Sequence, residues 1–363
     1  MPGRALRAAA TAAAVAAVVA IAPMTGLHPF DNDRSARPRS PATSTRPTPA
    51  ARHEPRSIQL VRWRGPVEHL FFHTLVIDPQ QAFRHDALGR GLRDYFVTVG
   101  EFRSIIRRLY ANRWTLVDIH RAARGAVRVP RGRRPFVLSE DDVNYYDYGR
   151  GRGLGWRLVL DASGDVAVDQ RAGAVRQVTG NDLVPIVDDF VADHPDFSAQ
   201  GAKGVLALTG YQGLFGERIQ QRGRGRAAAL QRASALAARL RATGWTFASH
   251  TYGHIALTHA GAAAVARDTE RWARLARPVI GRTDVLVYPF GARPAAGSRT
   301  ARILRRAGFR IQCDIDAVAR LVRRDGVRIM SRRHVDGLAL AGHGSNLRRF
   351  FDVAAVRDAA ARR

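Results

Sequence analysis

Lysine is almost missing from this chain. Lys203 is the only one, so nearly all of the 58 basic side chains are arginine. Cysteine is equally scarce: Cys313 stands alone, which excludes an intrachain disulfide and neither supports nor excludes export. Acidic residues number only 31, leaving a formal net charge of +27. An excess of that size attracts polyanions, either nucleic acid or an anionic cell envelope. GC-rich coding accounts for arginine over lysine, but not for the excess over acids. No RNA-binding signature, zinc-finger spacing or basic zipper is present, so the pattern gives nucleic acid no support. Internal repeats are also lacking.

What is there begins with the N-terminus. Arg4 and Arg7 precede an apolar stretch from Ala8 to Met24. A basic start followed by a short hydrophobic run is the layout of a signal peptide. The run is somewhat short for a membrane span of about 20 residues. Residues 1–30 therefore read as a cleaved signal peptide, with a retained membrane anchor or an Ala-rich helix as alternatives. No cysteine stands directly after the run, which excludes a lipoprotein. Residues 31–57 are rich in Pro, Arg, Ser and Thr and cannot bury enough surface to fold, so they read as a flexible linker. Residues 58–363, in a chain that is 46% hydrophobic, are long enough for one large domain.

That domain alternates strand and helix signals. Short apolar runs read as buried strands at Leu70 to Ile77, Thr115 to Asp118, Arg134 to Ser139, Val205 to Thr209, Trp245 to Ser249, Asp284 to Tyr288, Phe309 to Cys313 and Val327 to Met330. Helical spacing runs through Val97 to Tyr110, Leu183 to His194, Ala227 to Thr243, Thr258 to Leu275 with Thr258 as N-cap, and Asn346 to Ala360. Repeated β-α units predict a mostly parallel sheet, closed or nearly closed, with chemistry at the C-terminal strand ends.

Three polar motifs follow strands. Asp141 and Asp142 sit in SEDDV, where adjacent carboxylates can divide metal binding from proton handling; alone, the pair also reads as a solvated acidic turn. His250 and His254 sit in HTYGH, and an i, i+4 pair on a helical turn brings two imidazoles to one face. Alone, the pair also reads as two unrelated polar loop residues. A carboxylate with two histidines leaves zinc an open position. Tyr288-Pro289-Phe290-Gly291 is a rigid turn that can aim a backbone N–H at a reacting oxygen.

In this order the motifs resemble those of the polysaccharide deacetylase, or NodB-homology, family. SEDDV resembles its Thr-Phe-Asp-Asp-Gly motif, HTYGH matches its His-Ser/Thr-x-x-His motif, and VYPFG resembles its Arg-x-Pro-Tyr-Gly motif. The resemblance spans roughly Leu70 to Gly291. It implies an α/β fold, a distorted (β/α) barrel of about seven strands. It also implies a divalent ion, zinc by preference, on Asp142, His250 and His254. By the same resemblance Asp141 is the general base and the Phe290 N–H helps form the oxyanion hole. Glu140 replaces the usual aromatic, Val143 replaces Gly, and Val287 stands where many members place the Arg that pairs with the base. Asp141 therefore has a raised pKa or needs another partner. The general acid falls to His73, as in a branch of the family, with His334 in SRRHVDG as the alternative; neither His334 nor His343, in AGHGS, follows the C-terminal Leu-x-His pattern of many members. A His inside an apolar strand also reads as a core residue.

The activity implied is hydrolysis of acetyl groups from a cell-envelope or extracellular polysaccharide by an extracytoplasmic enzyme. A non-catalytic glycan-binding module and an anionic-polymer binder on the same scaffold are the rival readings.

Overall fold

The computed structural model describes residues 59–172, 175–343 and 346–362. The expected signal segment and linker lie outside them. No helix among the described residues is long and apolar enough to cross a membrane.

Fourteen strands are formed among the described residues: β1 (Leu60–Arg62), β2 (Glu68–His73), β3 (Trp114–Leu116), β4 (Arg128–Pro130), β5 (Arg134–Asp141), β6 (Arg157–Leu160), β7 (Val166–Ala172), β8 (Val175–Thr179), β9 (Gly204–Leu208), β10 (Trp245–Ser249), β11 (Val285–Val287), β12 (Ile311–Ile315), β13 (Leu321–Arg324) and β14 (Val327–His334). Seven of them, in the order β2-β5-β9-β10-β11-β12-β14, pair in parallel, and β14 pairs back onto β2. The result is the closed, seven-stranded (β/α) barrel expected. Because every strand is parallel, all C-terminal ends open on one rim.

The sequence explains the closure. A parallel strand buried on both faces reads as a continuous apolar run, and β9 (GVLAL) is buried at every position. Alternate residues divide between two layers. Val137, Val205, Ala207, Val285 and Cys313 fill the barrel interior with small side chains. Leu70, Phe72, Phe136, Leu138 and Leu206 face outward into the larger layer under the helices.

Those helices are α1 (Pro79–Ala82), α2 (Ala87–Tyr95), α3 (Val99–Ala111), α4 (Ile119–Arg124), α5 (Leu183–Asp193), α6 (Arg226–Ala242), α7 (Ala262–Ile280), α8 (Arg299–Arg306) and α9 (Gly337–Leu340). Helix α3 starts on a full capping box: Glu101 N–H donates to Thr98 Oγ1, and Thr98 N–H donates to the Glu101 carboxylate.

Three expectations need correcting. The helix expected from Thr258 begins at Ala262 behind Gly261, because residues 255–260 still belong to the loop carrying the histidines. No helix forms at Asn346 to Ala360. The side chains of Asn346, Asp352 and Asp358 each accept a nearby backbone N–H, two or three residues ahead. Such local bonds compete with helix hydrogen bonding, and Leu347, Phe350, Phe351 and Val356 are buried without a helix. Between β5 and β9 the sequence reading left a gap that β6, β7 and β8 fill as an antiparallel sheet. Its signal was the Asp161–Asp165 turn between two apolar runs.

One outer-layer residue breaks the pattern. Glu140 is paired across the sheet with Phe72 and Leu206, both in the apolar layer. Its side chain is fully buried, and neither carboxylate oxygen has a hydrogen-bond partner among the described residues. Burial first, then the nearby Asp182 and Asp141 charges, push its pKa well above the usual carboxylate range. A buried, unpaired carboxyl is destabilising relative to an apolar group of similar size. Glu140→Leu should therefore raise stability by about 1–4 kcal/mol, read as a higher urea midpoint at unchanged m-value. A lower midpoint would mean that Glu140 has a partner the fold depends on.

Candidate metal centre and active site

The candidate site lies on the C-terminal rim, and each side chain arrives there from a different strand. β2 ends at His73, β5 at Asp141, β10 immediately before His250, β11 immediately before Tyr288, and β14 at His334.

Asp142, His250 and His254 come together. The three offer one ligand atom each, all within 4.8 Å of one another. His250 Nε2 lies 3.9 Å and His254 Nε2 3.8 Å from Asp142 Oδ1. Donors bound tetrahedrally 2.0–2.1 Å from one ion stand about 3.4 Å apart, so the pairs must close by roughly 0.5 to 1.4 Å to complete the set. The tautomer of His250 suits this. Its Nδ1–H donates to the Val287 carbonyl at 2.9 Å, leaving the Nε2 lone pair facing the carboxylates. Burial lowers the His254 pKa to about 4 against the opposing pull of Asp142, which keeps that ring a neutral donor. One carboxylate oxygen and two imidazole nitrogens are a donor set suited to zinc, and the residues present fit a single divalent ion.

The two histidines do not sit on a helical turn, contrary to expectation. They bracket a loop in which Thr251 and His254 have φ of 61° and 52°. The Asp268 carboxylate on α7 holds this loop by accepting the Tyr252 and Gly253 N–H groups at 2.7 and 2.8 Å. Asp142 also has positive φ, 61°. Its Oδ1 accepts from Tyr146 OH at 2.6 Å, and that hydroxyl also meets Thr209 Oγ1 at 2.9 Å.

Asp141 faces the barrel interior and has the partner that Val287 cannot supply. Arg332 of β14 grips it through two hydrogen bonds, NH1 to Oδ1 at 2.7 Å and NH2 to Oδ2 at 2.9 Å. Both side chains are buried. Burial alone would raise the Asp141 pKa, but Arg332, followed by His250, overrides it and holds the carboxyl well below the usual range. The raised pKa considered from sequence is thus replaced by a lowered one. Arg332 escaped the sequence reading because it lies about 190 residues from its partner. The available signal was its place two residues before His334, on the same face of one strand.

His73 sits beside Asp141, its Cα partner in the β2–β5 register. Neighbouring parallel strands are about 4.8 Å apart, so the two residues share a face and a rim. His73 and His334, alternatives in the sequence, touch: His334 Nε2 and His73 Nδ1 are 3.1 Å apart. His334 Nδ1 is 2.8 Å from Asp336 Oδ2. Phe71 stacks on His334 at 4.3 Å, and Arg332 lies over the same Phe71 ring at 4.1 Å. Phe290, with φ of 58°, packs its ring against His254 at 4.5 Å. The following amides of Gly291 and Ala292 are taken by the Tyr288 and Pro289 carbonyls. His343 hydrogen-bonds through its own backbone N–H to Leu338 and joins none of these groups.

No sequence-family model matches the chain, and no curated protein matches it in sequence. Several solved structures are similar. One is Streptococcus pyogenes deacetylase PplD in complex with acetate, at 11% identity and TM-score 0.46, covering 78% of this chain and 99% of that one. A de-N-acetylase from Aggregatibacter actinomycetemcomitans matches at 14% identity and TM-score 0.44, over 75% of this chain and 96% of that one. IcaB from Ammonifex degensii matches at 14% and 0.42, over 74% and 91%. At these scores the likeness is loose, and the chemistry of the site stands on this chain's own residues.

Arg332→Met should leave Asp141 buried without its counter-ion and destabilise the fold by about 3–5 kcal/mol. Adding Asp141→Asn should recover most of that loss in chemical denaturation. A double variant as unstable as the single would show that Arg332 acts through packing instead.

Proposed function

We propose that this chain is a metal-dependent hydrolase that removes acetyl groups from a polysaccharide. The observation that carries the reading is one rim holding two things together: the Asp142, His250 and His254 donor set, and a second carboxylate, Asp141, pinned by Arg332. The separation of tasks between adjacent aspartates is what the reaction requires. The loose likeness to deacetylase structures agrees with the reading and does not bear its weight.

A divalent ion on Asp142, His250 and His254, zinc by donor set, would supply a Lewis acid for the acetyl carbonyl and acidify water at its open position. The protein's own groups do the rest. Asp141 accepts the proton of the attacking water. Arg332 holds both carboxylate oxygens, fixes their direction and keeps the group ionised. The Phe290 N–H, on a turn whose next two amides are occupied, donates to the oxyanion as the carbonyl becomes tetrahedral. His73, on the neighbouring strand to Asp141, protonates the leaving nitrogen. Tyr146 orients Asp142 through a bond to the oxygen nearest both histidines.

The basic start and apolar stretch at residues 1–30, with the Pro- and Arg-rich segment after them, support an extracytoplasmic site of action. The excess of 27 positive charges supports attraction to an anionic cell envelope, which would place the substrate nearby. The substrate is then an acetylated envelope or extracellular glycan.

The test is acetate release from acetylated glycans by purified, zinc-loaded protein. His254→Ala should lose bound metal and activity together, and full metal occupancy in that variant would break the ligand assignment. Asp141→Asn should lower stability, because Arg332 loses its buried counter-ion, yet the folded fraction should keep the metal and lose turnover by about 10²–10⁴-fold. Near-normal turnover by the folded, loaded Asn variant would remove Asp141 from the reaction.

A further inference from the structure

His73 and His334 present themselves as rivals for one role, but they are in hydrogen-bond contact and belong to a chain of three groups. Asp336 meets His334 Nδ1 at 2.8 Å, and His334 Nε2 meets His73 Nδ1 at 3.1 Å. We propose that His334 and Asp336 are positioning residues that load His73: the added proton is stored on His334 against Asp336, and it reaches the leaving group through His73. This deepens the deacetylase reading and rests on it.

The reason is a conflict that one histidine cannot resolve. An imidazole donating to a leaving nitrogen must not end as an imidazolate, so a second proton must be held on the donor or be ready to reach it as the first leaves. His73 is badly placed to hold one. Burial first, then the facing His334, lower its pKa to about 4, despite the pull of Asp142 and Asp141. When both rings are neutral, Asp336 fixes the His334 tautomer. Nδ1 carries the proton toward the carboxylate, Nε2 accepts from His73 Nδ1–H, and His73 Nε2 is left bare. The neutral pair therefore offers the substrate a lone pair instead of a proton.

One added proton reverses this. His334 then carries protons on both nitrogens, one toward Asp336 and one toward His73 Nδ1. His73 stays neutral with its proton on Nε2. As the C–N bond breaks, its electron pair goes to the leaving nitrogen, which takes the Nε2 proton. His73 Nδ1 receives the bridging proton from His334 Nε2, whose bonding pair stays behind as a lone pair. The histidine pair loses one positive charge, and one proton from solvent reloads it. His73 is never a cation at rest.

The surroundings fit these roles. His334 faces Asp336, His73 and the Phe71 ring, and Arg332 also lies over that ring. Asp336 is held below the usual carboxylate range, burial opposing and His334 prevailing, and it also accepts the Ala339 N–H as the cap of α9. Tyr95 of α2 lies near enough to feel its charge. His73 faces Asp141, Asp142 and His250 across the rim, and packs against Phe96 at 5.3 Å. It hydrogen-bonds to none of the three candidate ligands among the described residues.

Histidine side-chain ¹⁵N NMR on the intact protein tests the storage site without needing activity. As pH is lowered, the first proton added to the pair should appear on His334, with His73 still neutral. First protonation of His73, with His334 neutral, would overturn the proposal. Asp336→Asn keeps an N-cap side chain, so the fold and metal content should persist. The pair's proton uptake, and the alkaline limb of the turnover profile, should both move about one pH unit lower, a tenfold change. An unmoved uptake curve would also overturn it. His334→Gln should slow an amide substrate about 10²-fold or more and an activated ester far less. Equal slowing of both would mark a structural role. If the wild-type protein releases no acetate from any glycan, the deacetylase reading fails instead, while the NMR result still decides the relay.

Discussion

The structure turns on one buried ion pair. Arg332 and Asp141 meet through two short hydrogen bonds where neither side chain reaches solvent. Two charges taken out of water need such geometry, since desolvation otherwise outweighs attraction. The partners sit on β14 and β5, with β2 between them, so the pair forms only when the last parallel strand closes onto β2. Closure of the barrel therefore also delivers the counter-ion that keeps the buried candidate base ionised. Ser139 and His69 extend the contact inside the barrel: Arg332 NH1 lies 3.3 Å from Ser139 Oγ, which lies 2.9 Å from His69 Nε2.

β2 is the strand on which both halves of the chemistry depend. Its inward residues alternate as His69, Phe71 and His73. Phe71 carries the Arg332 guanidinium and stacks on His334. A single aromatic ring thus orients both the cation that pairs with Asp141 and the imidazole that meets His73. Phe72, one residue on, faces outward and packs edge-on against Phe102 of α3. The strand is locked to the helical layer by the same alternation that turns its histidines inward and brings His73 to the rim.

The barrel was legible because local and global signals agree. Buried parallel strands are apolar runs, and helices between them show a 3.6-residue period. The candidate ligands were legible because they follow two strands, Asp142 after β5 and both histidines after β10, within short motifs. What the sequence hid was pairing across the barrel. Arg332 and Asp141 are far apart in the chain, and an arginine in a sequence this rich in arginine carries no signal of its own. The contact between His73 and His334 was hidden for the same reason, and it turned two competing assignments into one connected group. The missing C-terminal helix was a different failure. Its apolar residues are buried as expected, but Asn and Asp side chains that bond nearby backbone N–H groups set the local path.

Backbone strain gathers where the candidate ligands stand. Asp142, Thr251, His254 and Phe290 all have φ between 52° and 61°. Each such residue costs about 1–3 kcal/mol and persists only where its surroundings over-determine it. Those supports are visible. Tyr146 fixes Asp142, and Asn144 ties the loop after β5 to Thr209 by accepting its N–H at 2.9 Å. Thr251 Oγ1 accepts from Ile255 N–H at 3.0 Å, and Asp268 takes two further amides of the same loop. All of these bonds are made between the protein's own groups. The three donors are therefore brought to near-binding distance by the protein's own hydrogen bonds, and the strain is met on folding.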